Sequence, residues 1–144
     1  MELTKLYNFT VDQELWLVDL ENTEEPQTTV SLCDNGGWCC LGRLCDVLNV
    51  PKMEFKLGDY KFGIESDGED LSAEVLPEYV AKLVGLRSTQ GHIKDSPIEW
   101  ERLTELNDDA GWSFKQIAAF IRQYPEKVFL QPGETPETEF FYYD

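Results

Sequence analysis

The chain has 144 residues, 42% of them hydrophobic, with 28 acids against 12 bases and a formal net charge of −16. That length fits one domain, which buries roughly 68–70% of its unfolded surface and so needs no disulfide or metal staple. The charge argues against direct nucleic-acid binding and against anionic membranes, both of which want a basic face, and no run reaches the ~18–20 apolar residues of a membrane helix.

The opening MELTKLYNFTVDQELW carries acids where a secretion signal needs a basic region and then an apolar run. Cytoplasmic residence is therefore expected. Thr10 followed by Gln13 is a capping-box pattern that opens a helix through Leu15, Trp16, Leu17 and Leu20. Glu21 to Pro26 ends it in a polar loop. The β-branched run Thr28 to Leu32 predicts a strand, closed by the turn Asp34-Asn35-Gly36-Gly37.

Four cysteines then fall within a short stretch: Cys33, Cys39, Cys40 and Cys45. Zinc sites want thiolates in short pairs such as C-x2-C, and the adjacent pair here is a poor clip. Disulfide frameworks belong to secreted chains with more widely spread cysteines. Read as a helix, the segment puts Cys40, Leu41, Leu44, Cys45 and Leu48 on one face, the spacing of packed core residues. Asn49 and Pro51 end that helix.

Met53–Leu57 and Tyr60–Ile64 read as a β-hairpin turning at Gly58-Asp59. Ser66 to Asp70 is an exposed acidic loop. Pro77 at a first helical position starts Glu78–Val84, and Gly85 is placed to cap it. Arg87 to Pro97 is irregular and holds the single histidine, His92, as an exposed loop residue. Ile98–Leu106 predicts a helix broken by Asn107-Asp108-Asp109-Ala110-Gly111. Ser113 and Gln116 form a second capping box before a helix whose apolar face is Phe114, Ile117, Ala118 and Ile121, with Pro125 at its end. The order suggests an α+β fold, several short helices packed on a small antiparallel sheet. Residues 1–133 make one domain, and 134–144 an acidic-aromatic tail.

The segment Trp38-Cys39-Cys40-Leu41-Gly42-Arg43-Leu44-Cys45-Asp46 resembles the CCLGxLCD signature of a family of small bacteriophage and prophage proteins. Leu76-Pro77-Glu78-Tyr79-Val80 with Gly85-Leu86 also resembles that family. So does Leu103-Thr104-Glu105-Leu106-Asn107-Asp108 with Ser113 to Ala118 after it, and the likeness spans about Thr10 to Phe129. It implies a phage origin and an intracellular product, and it supplies no catalytic residue.

Catalytic constellations are thin. A cysteine or serine triad needs a histidine base, and His92 is the single candidate. Carboxylate pairs such as Asp108 with Asp109 arise by chance among so many acids. A calcium loop would need an aspartate where Gly63 stands. No phosphate-binding glycine loop is present, and no cofactor is implied.

These features favour a phage-encoded acidic accessory protein that binds and modulates, chiefly by inhibition, a host or defence protein with a basic surface. Nucleic-acid mimicry is the sharper version. Glu105, Asn107, Asp108 and Asp109 are the candidate partner contacts in the helix break, and Phe140, Phe141, Tyr142 and Tyr143 are candidate aromatic anchors. The alternative is a small-molecule- or metal-binding module, even an enzyme, built on the Cys39–Cys45 region and the Asn107–Gly111 loop.

Overall fold

The computed structural model describes residues 7–63 and 71–136. They hold six helices and a four-stranded antiparallel sheet, the α+β class the sequence predicts, with the helices packed chiefly on one another. Ser66–Asp70 and the aromatic run Phe140–Tyr143 lie outside the described residues.

Helix α1 (Val11–Asn22) opens on the expected capping box, Thr10 accepting from Gln13 N and the Gln13 amide accepting from Thr10 N. It buries Trp16, Leu17 and Leu20. Two-residue strands β1 (Cys33–Asp34) and β2 (Gly37–Trp38) follow, joined through Asn35 and Gly36 at φ +52° and +82°. Positive φ at both central residues lets a tight hairpin follow the strand twist. Helix α2 (Cys40–Val47) is next, and its face is as predicted, with Cys40, Leu41, Leu44 and Cys45 buried. Strands β3 (Lys52–Lys56) and β4 (Asp59–Phe62) form the second hairpin, in a sheet ordered β2-β1-β4-β3. Lys56 pairs with Asp59, so the turn is Leu57-Gly58, one residue earlier than expected. The left-handed φ of +82° at Gly58 explains the shift, since that backbone favours glycine.

Helix α3 (Glu78–Val84) has Pro77 as its N-cap, one place before the expected first turn, and left-handed Gly85 as its C-cap. Helices α4 (Leu103–Asp108), α5 (Phe114–Gln123) and α6 (Pro125–Val128) complete the chain of elements. Cys40, Leu44, Phe114, Ile117 and Ile121 share one core with Trp16, Leu86, Leu103 and Phe129.

Four expectations need correction. Thr28–Leu32 is a bent loop, because side chains take the backbone groups a strand ladder would use. Asn107 donates to Thr28 O at 2.8 Å, and Asp108 accepts from Val30 N at 2.9 Å. Ile98–Trp100 is not helical. There Ser96 Oγ accepts from Ile98 N and donates to Trp100 O, while Ile93 N donates to Glu101 O. Helix α4 therefore starts at Leu103, and Asn107 and Asp108 belong to it instead of breaking it. His92 is half-buried and forms an isolated bridge with Arg102, so it is no exposed loop residue.

Candidate functional site

The Trp38–Asp46 segment is where the sequence is most distinctive, and each of its polar positions has a structural task. Cys39 caps α2, its Sγ accepting from Gly42 N at 3.3 Å. Gly42 is the point of closest approach: a Cβ there would overlap the Leu32 carbonyl oxygen. Arg43 is 5% exposed and holds Asp19 through two bonds of 2.8 and 2.7 Å. It also pairs with Asp46 at 3.0 Å and lies 4.9 Å from the Trp38 ring centroid. Trp16 Nε1 donates to Cys40 O from α1. All four cysteines are free and buried. Burial pushes the Cys33 thiol up, the Cys39 thiol up to about 12, and the Cys40 and Cys45 thiols well above their ordinary value. They stay protonated at neutral pH, and a thiol without thiolate character is a poor nucleophile and metal ligand. Among the described residues no group of three or more His, Cys, Asp or Glu side chains is arranged to hold a metal ion.

An open concavity among the described residues lies elsewhere. A cleft of about 120 Å³ is lined by Val30, Glu74, Val75, Gln90, Thr104 and Asp108. Four separate stretches build it: the bent 26–32 loop, the segment before α3, the buried irregular stretch after it, and α4. Leu76 N donates to Thr89 O and Thr104 N to Gln90 O, which fastens the last three together. Val30 sits at φ +70° with half its side chain exposed. A β-branched residue in that region is strained and persists because its surroundings over-determine it. Here the restraint is Asp108, whose Oδ1 accepts from both Val30 N and Asn107 Nδ2.

Asn107 holds this wall of the cleft together. It is 2% exposed and accepts from Gln27 Nε2 at 2.8 Å and Cys40 N at 3.1 Å, while donating to Thr28 O. A buried amide this fully bonded has nothing left for a partner, so Asn107 is a fold residue and not the partner contact expected. Glu105 is also used locally, its carboxylate accepting from Glu101 N and Arg102 N. Asp108 lines the cleft, and Asp109 is exposed beside it. Thus of the four residues picked in this segment, Asn107 and Glu105 serve the scaffold, Asp108 both braces the loop and lines the cleft, and Asp109 is exposed next to it in the chain.

The sequence signal for Asn107 is its phase: Leu103, Leu106 and Asn107 lie at i, i+3, i+4 and all are buried. Glu134, the first residue of the expected tail, pairs with Arg87 at 2.7 Å and with Lys94 at 2.6 Å, which ties it to the residues before Gly133. Arg87 itself is 2% exposed and donates to the carbonyls of Lys127 and Phe129 as well.

The family model described as Domain of unknown function (DUF8296) matches residues 10–125. The chain belongs to this family. The DUF8296 match takes in α1 through α5, the whole cleft and the Asn107 network. No curated protein and no solved structure matches the chain. No helix of the described residues is long and apolar enough to cross a membrane.

Proposed function

We propose that this is a phage-encoded acidic accessory protein that binds and modulates, chiefly by inhibition, a host or defence protein with a basic surface. What carries the reading is the way the bases are spent. Arg43 is closed on Asp19 and Asp46, Arg87 on Glu134, and Arg122 on Glu14 and Glu21. Three guanidinium groups are thereby matched to five acids of the same chain, and other exposed acids have no such partner among these three. Glu24, Glu25, Glu74 and Asp109 are all exposed. Glu74 lines the cleft, Asp109 follows the cleft residue Asp108, and Glu24 and Glu25 precede Gln27, which is bonded to Asn107 and to Trp112 O.

A shallow cleft with two carboxylates, a hydroxyl and an amide over two valines suits a lysine or arginine side chain. The stem lies on Val30 and Val75, and the cation meets Glu74 and Asp108. The test is capture of partners from host lysate at low and high salt, followed by kinetics on the captured partner with Glu74→Gln. A basic partner whose affinity falls with salt and with Glu74→Gln supports the reading. Capture indifferent to both overturns it in favour of a small-ligand module.

A further inference from the structure

Helix α1 is apolar on two opposite faces. Trp16, Leu17 and Leu20 fill the core, while Val11, Leu15 and Val18 are 76%, 49% and 43% exposed. Those three stand at i, i+4 and i+7, so they form one outward row along about two turns. Scattered surface hydrophobics are ordinary, but a row on one helix is not, since a surface helix normally turns charged residues to solvent opposite its core stripe. The row is open among the described residues. α1 packs on α5 and on α2, and each neighbour sends one arginine to it. On one flank of the row Arg122 of α5 pairs with Glu14 and Glu21. On the other, Arg43 of α2 pairs with Asp19 and also with Asp46. Asp12 shares the second flank and is paired with no base among the described residues.

We propose that this row docks an amphipathic helix of a partner protein, one whose apolar stripe is bordered by lysine or arginine on both sides. Charge complementarity selects that occupant. Around the row five carboxylates against two guanidiniums leave a charge of −3, and Glu24 and Glu25 stand exposed just beyond the helix. The arginines do not use up the acids, since the side chains of Glu14, Glu21 and Asp46 remain partly exposed. A second copy is the wrong occupant. Laid face to face in either direction, two α1 helices bring a negative flank against a negative flank, and like charges in contact are repelled. An anionic bilayer is repelled for the same reason. A basic helix instead lays its apolar side chains along Val11, Leu15 and Val18 and places its cations by the carboxylates on each side, which is helical recognition read at i, i+4 and i+7. Two turns make a small contact, so the association is weak and sensitive to salt. No residue of this row lines the cleft, and the proposal does not depend on the cleft.

The test is fluorescence anisotropy with a labelled peptide that carries leucines at helical spacing on one face and lysines elsewhere. Its affinity is expected to fall roughly tenfold with Leu15→Gln/Val18→Gln, which removes two apolar contacts from the row. Leu83→Gln, a similar change at a residue exposed on α3, should leave the affinity unchanged. A peptide of the same composition in scrambled order offers the same charge without an apolar stripe. It should bind the unaltered protein roughly tenfold more weakly, a comparison that is free of any damage to a variant's fold. Loss of the peptide with Glu74→Gln in place of Leu15→Gln/Val18→Gln would put it in the cleft and overturn the proposal. Equal binding of the scrambled peptide, equal loss with Leu83→Gln, or no binding at all overturns it too. So does a dimer in sedimentation equilibrium that dissociates with Leu15→Gln/Val18→Gln, since a second copy would then cover the row.

Discussion

Gly42 and Asn107 carry the greatest weight per atom in this fold, for opposite reasons. At Gly42 the absence of a side chain lets α2 lie against the Leu32 backbone, so Gly42→Ala forces helix and loop apart. Overpacking at a backbone contact costs about 3 kcal/mol, and chemical denaturation should show a loss near that size with the cysteines still buried. At Asn107 the side chain is indispensable. Asn107→Ala leaves Cys40 N and Thr28 O without their bonds inside the protein, at about 1–3 kcal/mol for each buried orphan. Asn107→Asp tests the direction of those bonds. It keeps the acceptor for Cys40 N and Gln27, loses both donors, and sets a carboxylate against that of Asp108. It should destabilise about as much as alanine, and a variant as stable as the native protein would show the donors to be dispensable. Asn107 is readable in the sequence by its helical phase. Arg43 is not, because its partner Asp19 lies on another helix and a long-range pair leaves no local pattern.

At the level of elements, caps and periodicity gave the reliable predictions. Both capping boxes and the apolar faces of α2 and α5 are local features, and they stand in the structure where the pattern put them. Two of the failures share one cause, which is competition for backbone groups from residues distant in the chain or from a nearby serine. Thr28–Leu32 has the composition of a strand and loses its ladder to Asn107 and Asp108. Ile98–Trp100 loses its helix to Ser96. The cleft could not be read at all, since its lining residues come from four separated stretches.

The C-terminal stretch shows the same dependence on distant partners and yields a sharp comparison. Lys94 and Arg87 hold the Glu134 carboxyl down at about 2, from an ordinary 4.5. With the folded value depressed, the pair stabilises fully above about pH 4.5, and its contribution is lost as pH falls toward 2. Glu134→Gln should therefore cost about 1.5–3 kcal/mol at neutral pH, as for a hydrogen bond to a charged group, and the gap to the native protein should close on acidification. Urea denaturation across that pH range measures it. Truncation after Gly133 should mimic the substitution, while truncation after Pro136 should keep the pair. Equal stability of the two truncations would remove Glu134 from the domain.

For the molecule as a whole, charge is arranged in two unlike regions. The arginines are drawn into pairs with acids, the hairpin gathers lysines, and the cleft keeps exposed carboxylates around it. A field of this kind speeds encounter with a basic partner more than it prolongs the complex. Reversal of Glu24, Glu25 and Asp109 to lysine should therefore lower the association rate constant several-fold with little change in dissociation. Asp108 and Glu105 are poor choices for such a test, because both accept from backbone groups and their reversal would disturb the loop and the start of α4. Glu126, exposed on α6, serves as the control, and its reversal alone should have the smaller effect. Raising salt from low to physiological strength should shrink the difference between native and reversed proteins, since exposed charges are screened beyond roughly 8–10 Å. Stopped-flow or surface-based kinetics on the captured partner measure both constants. If all reversals slow association equally, only the net charge matters and the cleft has no special place in recognition. If none does, the acids serve solubility, and the cleft is better read as a pocket for a small ligand.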